Sequence, residues 1–285
     1  MNNTIAYLGK KGSFSYAKAL EHFGEDKLFI GGENFENVFK FIEEERAHCA
    51  IVPIENSLIG SIYENYDLLY SYKFFIIGET YKKIEHYLLC APEKKLSNEE
   101  RIRSVKYVFS HPKALEQCSN FFLKHPWIKT IMCSDTATAT EKAAEKNSPH
   151  YAAIAGMDAA KIYRLDIVKK SLANNPNNIT RFINIRKKDP LSIRQANKCS
   201  LIIRLLHAPN ALSKVLTDLS SKKANLTKVE SRPIPNRPFE YIFYLDFEFP
   251  EKQFQEIREI IKNIKKKTKE FILLGFYKKE TLWTN

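Results

Sequence analysis

Thr4-Ile5-Ala6-Tyr7-Leu8-Gly9-Lys10-Lys11-Gly12-Ser13-Phe14-Ser15 opens the chain with an apolar run, a glycine turn and a hydroxyl-rich helix start. The apolar run reads as a short strand, and helical spacing follows it through Phe23. Gly9 and Gly12 let the backbone turn tightly between the two, and Ser13 or Ser15 can cap the helix. Free N–H groups at such a start can hold carboxylate or phosphate. A Walker loop is excluded, because the Gly-Lys-Ser/Thr ending is missing. The turn therefore reads as a plain capped turn or as an anion site.

The same strand–turn–helix logic recurs downstream. Asn34 to Glu45 has helical spacing, with Phe35, Val38, Phe39 and Ile42 on one face, and Ala50 to Ile54 follows as a buried strand. Glu55-Asn56-Ser57-Leu58-Ile59-Gly60-Ser61 is a polar loop just past that strand's C-terminal end. Ligands bind at that edge of open α/β sheets, so Glu55, Asn56, Ser57 and Ser61 are candidates. A helix to Tyr72 and a strand at Phe74 to Gly78 complete a first lobe. Extended residues Glu79 to Ala91 cross to a second lobe, which starts with a strand at Val105 to Phe109. Ser110-His111-Pro112 then begins a helix through Leu123, with Ser110 as the expected cap and Pro112 in the first turn. After a strand at Lys129 to Cys133, Asp135-Thr136-Ala137-Thr138-Ala139 opens a helix whose small first turn lets a ligand approach. A short strand at Ala152 to Ala155 and a helix from Met157 to Tyr163 lead back through Ile167 to Leu172.

The returning chain enters Asn174-Asn175-Pro176-Asn177-Asn178-Ile179-Thr180-Arg181-Phe182, a turn-forming segment feeding a strand to Ile185. Arg181 keeps phase with Ile179, Ile183 and Ile185, and a guanidinium in an apolar row needs a partner. A protein carboxylate or a bound anion would serve, so the stretch reads as a hairpin entry or as a site. Lys187 to Lys198 is polar and reads as a linker. Beyond it the order is strand (Ser200 to Leu206), helix (Ala211 to Lys222), strand (Leu226 to Arg232) and strand (Phe239 to Phe247). A helix (Lys252 to Lys266) and a strand (Glu270 to Leu274) complete a βαββαβ unit. That order predicts an antiparallel sheet with two helices on one face.

Composition narrows the function classes. A chain of 285 residues with 44% hydrophobic content can hold two globular domains. Five scattered cysteines without a Cys-x-x-Cys pair argue for reduced thiols and against a disulfide framework or zinc site. The histidines form no metal or triad spacing, so hydrolase and metalloenzyme readings lose support. The first ten residues lack a long apolar core and no run reaches transmembrane length. A soluble cytoplasmic protein without signal peptide is the expectation. The net charge of +12 is compatible with nucleic acid, anionic substrates or a lysine-rich surface. Its densest run, Lys265-Lys266-Lys267, ends an amphipathic helix, and no nucleic-acid motif accompanies it. Surface bias is the reading carried forward, with no nucleic-acid or membrane partner expected.

Taken together the motifs resemble prephenate dehydratase over nearly the whole chain. The matching residues are Tyr7-Leu8-Gly9 with Gly12-Ser13-Phe14-Ser15, Val52-Pro53-Ile54-Glu55-Asn56-Ser57 with Gly60-Ser61, and Ser110-His111-Pro112 with Gln117-Cys118. Thr136-Ala137, Ala152-Ala153-Ile154-Ala155 and Asn178-Ile179-Thr180-Arg181-Phe182 complete the series. Asn225-Leu226-Thr227-Lys228-Val229-Glu230-Ser231-Arg232-Pro233 is similar to the family's regulatory ACT domain. The resemblance implies two α/β lobes like a type 2 solute-binding protein, with the site in their cleft, followed by the α+β ACT domain. The expected boundaries are 1–186 for the catalytic domain, with crossovers near 79–91 and 167–175, 187–198 for the linker and 199–280 for the ACT domain. The implied reaction converts prephenate to phenylpyruvate with loss of water and carbon dioxide, without metal or organic cofactor.

Carried over, Thr180 is the residue essential for activity, and Glu55 is its expected carboxyl partner. Ser13, Ser110, Thr136 and Arg181 are expected to hold the substrate's carboxylates, with Asn56, Ser57, Ser61, Ala137 and Phe182 completing the substrate set. Asn210, Ala211 and Leu212, with Glu230, Ser231, Arg232 and Pro233, are the expected site for phenylalanine in a homodimer or homotetramer. Two departures stand out: Lys10-Lys11 between the glycines, adding positive charge, and Asn210 where the family has glycine. Arogenate dehydratase and a non-catalytic amino-acid sensor are the alternatives. Absence of a signal peptide and retention of Thr180-Arg181-Phe182 argue against the sensor.

Overall fold

Strand β1 (Thr4–Leu8) leads through the glycine turn to α1 (Phe14–Phe23), whose cap is Ser13: its hydroxyl accepts from the Tyr16 N–H. The structure, a computed structural model, describes residues 3–188, 195–234 and 237–281. The chain divides into two compact units, Met1–Ser61 with Lys82–Arg181, and Ile62–Tyr81 with Phe182–Asn285. The first unit continues through β2 (Leu28–Gly32), α2 (Phe35–Glu43), β3 (Cys49–Asn56) and β4 (Gly60–Ser61). Asn34 caps α2, and Val38, Phe39 and Ile42 bury its apolar face. β1 pairs in parallel with β2 on one side and β3 on the other. β3 is a nearly unbroken apolar run, as a strand covered on both faces must be.

The chain then passes through α3 (Tyr63–Tyr72) and the start of β5 (Phe75–Lys83), which belong to the second unit. Back in the first unit come β6 (Tyr87–Cys90), α4 (Asn98–Ser104), β7 (Tyr107–Ser110), α5 (Pro112–Gln117) and α6 (Ser119–Lys124). They are followed by β8 (Lys129–Met132), α7 (Thr136–Lys146), β9 (Tyr151–Ala155), α8 (Met157–Tyr163), β10 (Asp166–Lys169) and the first residues of β11 (Ile179–Arg186). This lobe's sheet has the order β10-β6-β9-β7-β8, with β9, β7 and β8 parallel and β6 antiparallel to both its neighbours, β9 and β10.

Several details differ from the expectations. β2 and α4 were not anticipated; α4 is short and polar, held by a capping box between Ser97 and Glu100. β3 extends through Glu55 and Asn56, so the polar loop begins two residues later than expected, at Ser57. Ser110 does not cap α5. It still lies in β7, where its hydroxyl donates to the Ile154 carbonyl at 2.6 Å, and His111 is the cap, its Nδ1 accepting from the Lys113 N–H. The helix expected to reach Leu123 breaks at Cys118 into α5 and α6.

The second unit also contains β12 (Lys198–Leu205), α9 (Ala211–Ser220), β13 (Asn225–Pro233), β14 (Tyr241–Glu248), α10 (Phe254–Lys266) and β15 (Thr268–Tyr277). Their sheet has the order β13-β14-β12-β15 and is antiparallel throughout, as the βαββαβ order predicts. Ile257, Ile260, Ile261 and Ile264 of α10 pack with Val215 and Leu219 of α9 and the β12 side chains into one core. β13 is an edge strand, where the terminal Pro233 removes no ladder bond. Of the expected linker, residues 189–194 lie outside the described residues. Ala196 is already buried, and Lys198 begins β12. Among the described residues no helix is long and apolar enough to cross a membrane.

Lys198 and Glu79 form an ion pair at 2.9 Å with side chains 3% and 0% exposed, and Glu248 lies 3.6 Å from the same ammonium. Removing one partner of a buried pair strands the other charge in low dielectric. Glu79→Ala should therefore lower unfolding free energy by about 3 kcal/mol in urea titration, with Glu248 limiting the loss.

Candidate active site

The Asn56 amide has its orientation fixed by the backbone. Its Oδ1 accepts from the N–H groups of Leu58 at 3.0 Å and Ile59 at 3.2 Å, so Nδ2 must face the other way. There it donates to Asn178 Oδ1 at 2.7 Å and Thr180 Oγ at 2.9 Å. Asn178, fully buried, is oriented in turn and donates from Nδ2 to Gln117 Oε1 at 3.0 Å. His86 Nε2 lies 2.8 Å from that same oxygen, which can only accept, so the imidazole is the donor there. Burial pushes the His86 pKa down, partly opposed by the Gln117 bond, consistent with a neutral ring carrying its proton on Nε2. One chain of directed bonds thus runs from two backbone N–H groups through Asn56, Asn178 and Gln117 to His86, with Thr180 as a branch.

Thr180 is the chemical end of that branch. Its oxygen accepts from Asn56, and its own proton has no protein acceptor among the described residues. The hydroxyl is therefore a donor awaiting an acceptor. Glu55 does not serve it. Neighbouring residues on a strand point to opposite faces, so Asn56 meets Thr180 while Glu55 meets Arg181, whose guanidinium is 3.8 Å from the Glu55 carboxylate. The structure therefore places Glu55 beside Arg181 rather than in the expected partnership with Thr180. Ser57 uses its hydroxyl as a staple, donating to the Asn177 carbonyl and accepting from the Ile179 N–H, which pins the asparagine loop. Ser61 pairs with Glu55 across the β3–β4 hairpin. Phe182 continues β11 as a fully buried side chain.

A second cluster gathers at the glycine turn. Gly12 has φ +94°, and a Cβ there would lie 3.2 Å from the Ala159 backbone, so glycine is required for both angle and approach. Tyr163 donates from its hydroxyl to the Lys11 carbonyl, and Lys10 pairs with Glu141 at 2.6 Å, which offsets part of the added charge. Ser13 spends its hydroxyl on the helix cap and the Leu8 carbonyl, and Ala137 is fully buried. Asp135 caps α7 by accepting from the Thr138 N–H, while the Thr136 hydroxyl makes no hydrogen bond to described residues. Phe14 joins the clusters: its ring lies edge-on to His86 at 5.7 Å and against Gly156, where a Cβ would come within 2.8 Å of it. The residues that sequence reading passed over are His86, Gln117 and Asn178. The last two were visible within the matching motifs, but a lone histidine carried no signal.

In the second unit, a cavity of about 600 Å³ is lined by Asn210, Ala211, Leu212, Arg204, Phe239 and Lys269 among others. Asn210 takes the left-handed conformation, φ +61°, that glycine adopts freely and asparagine tolerates best among the others. Glu230, Ser231, Arg232 and Pro233 are not part of that lining. They lie along β13, where Arg232 makes a two-pronged pair with Asp67 and Glu230 sits 3.7 Å from Lys228.

Residues 5–190 match the family described as Prephenate dehydratase. The bifunctional chorismate mutase/prephenate dehydratase of Escherichia coli (strain K12) is 33% identical over 283 residues, covering 98% of this chain and 71% of that one. Arogenate dehydratase/prephenate dehydratase 1, chloroplastic, of Arabidopsis thaliana is 35% identical over 260 residues, 86% of this chain and 64% of that one. A crystal structure of prephenate dehydratase in complex with L-Phe from Arthrobacter aurescens superposes with a TM-score of 0.82 at 24% identity. It covers 96% of this chain and 89% of its own, which establishes the shared fold. The chain belongs to the prephenate dehydratase family, a family of carbon–oxygen lyases.

The neutral, buried His86 carries a linkage consequence. Its folded pKa lies below the unfolded value, so the unfolded state binds the extra proton as pH falls, and stability drops below about pH 6.5. His86→Gln should remove that component. In denaturant titrations the wild type should lose more stability than the variant between about pH 7.5 and about pH 5.5.

Proposed function

We propose that this chain is a prephenate dehydratase, converting prephenate to phenylpyruvate, carbon dioxide and water. The observation that carries the reading is the Thr180 hydroxyl, its lone pair taken by Asn56 and its proton without a protein acceptor. In the reaction the bond from the ring to its carboxylate breaks, carbon dioxide leaves, and that electron pair aromatises the ring while expelling the ring hydroxyl. The departing hydroxide needs one proton to become water. Thr180 is a weak acid, so its part is to donate a hydrogen bond to the leaving oxygen, with water supplying the net proton. The N–H pair of Gln117, unbonded among the described residues, and the Thr136 hydroxyl are further donors for a dianionic substrate. Arg181 acts on Glu55 and fixes the strand ends rather than acting alone as an anion clamp.

We assign residues 1–186 to the catalytic domain and 199–280 to an ACT regulatory domain, with L-phenylalanine as its effector at an interface between copies of the chain in a dimer or tetramer. Support comes from the βαββαβ order, the cavity beside Asn210, and the L-Phe in the Arthrobacter complex. Arogenate is a second substrate candidate, because the Arabidopsis relative's name includes it. The proposal includes a cytoplasmic location.

Thr180→Ala should lower kcat by roughly 10²–10³-fold, the usual contribution of one oriented donor, with an unchanged circular dichroism spectrum. A phenylpyruvate absorbance assay run with prephenate and arogenate reads both the loss and the substrate preference. Wild-type turnover in the variant would refute the assignment. Calorimetry should detect phenylalanine binding to the wild type. Because Asn210 already holds the glycine-like angle, Asn210→Gly should shift that affinity by no more than about threefold.

A further inference from the structure

His86 is 2% exposed, and its Nδ1 has no hydrogen-bond partner among the described residues. A buried nitrogen left unsatisfied weakens the fold, and an apolar ring would fill the same space against Phe14 without that penalty. What the imidazole supplies and an apolar ring cannot is the donor on Nε2. That donor meets Gln117 Oε1, the oxygen that also accepts from Asn178. With two donors on one carbonyl oxygen, the Gln117 amide is locked. A half-turn of that amide would set its N–H groups against both the His86 N–H and the Asn178 N–H.

We propose that His86 is a positioning residue for the reaction. Its Nε2–H holds Gln117 so that the glutamine N–H pair stays unbonded among the described residues. Through Asn178 it also braces the far end of the network whose near end, Asn56 against Thr180, the backbone holds. This inference rests on the dehydratase reading for its consequence in turnover, but not for its geometry. Without the His86 donor, Gln117 has one bond instead of two holding its orientation. It can then turn over, Asn178 loses its acceptor, and the disorder spreads toward Asn56 from the end that the backbone does not fix.

Two variants and one spectrum test the proposal. His86→Leu fills the space without a donor, and His86→Gln keeps a donor. Kinetics with prephenate should show His86→Leu losing roughly 10–100-fold in kcat, the usual effect of removing an outer-layer hydrogen bond, with KM changed less than about threefold. His86→Gln should recover most of that loss. A merely structural histidine predicts instead that folded His86→Leu turns over like the wild type, or that both variants fall equally, and either result overturns the proposal. Nitrogen-15 spectra of the wild type should show His86 as the neutral Nε2–H tautomer near neutral pH; an Nδ1–H tautomer overturns it even if His86→Leu fails to fold. If wild type forms no phenylpyruvate while the tautomer is as stated, the activity reading fails and the positioning geometry stands.

Discussion

Two backbone N–H groups, those of Leu58 and Ile59, fix the site by holding Asn56 Oδ1. An asparagine side chain has two faces of nearly equal shape and opposite chemistry, so whatever orients it decides which neighbours must donate and which must accept. Here the β3–β4 turn makes that decision. Asn178 takes its direction from Asn56, Gln117 is held by both Asn178 and His86, and Thr180 is left with one satisfied lone pair and a proton without an acceptor among the described residues. Buried polar networks are strong when every member agrees and costly when one does not. The asparagine loop is therefore pinned at several points, by Ser57 on one side and by Asn174 on Gln117, Asn120 and Ser119 on the other.

Strand alternation does the remaining sorting. Glu55 and Asn56 are consecutive, as are Thr180 and Arg181, so the charged pair and the neutral hydrogen-bonding pair separate onto opposite faces. The Arg181–Glu55 charges thus lie off the Thr180 face, which carries the neutral Asn56 and Thr180 groups. Such donors suit a reaction that loses hydroxide and carbon dioxide from a dianion, because they stabilise developing charge without trapping a product carboxylate in an ion pair.

Much of the fold was legible because local signals agreed with it. Ser13, Asn34 and Asp135 cap the helices that their positions predict, and the change from twofold to 3.6-residue periodicity marks the βαββαβ unit. The misses have physical reasons. β2 is a short strand ending in two glycines, and it exists because β1 offers it a ladder. Ser110 looked like a cap because serine prefers caps, yet the strand continued one residue further and gave its hydroxyl to a neighbouring strand. Reading Glu55 to Ser61 as loop hid the alternation that assigns Glu55 to Arg181. The site network was least legible. Asn56, His86, Gln117 and Asn178 are far apart in sequence and meet through side-chain hydrogen bonds between different parts of the fold.

The proposed chemistry depends on Asn56 directing the Thr180 proton. Asn56→Asp keeps the oxygen that the Leu58 and Ile59 N–H groups hold but replaces the donor with an acceptor, which would turn the Thr180 proton back into the protein. A double-mutant cycle of kcat for Asn56→Asp and Thr180→Ala measures that coupling directly. Losses that do not multiply, with the double variant little slower than either single one, are the predicted result. Losses that multiply independently would contradict it.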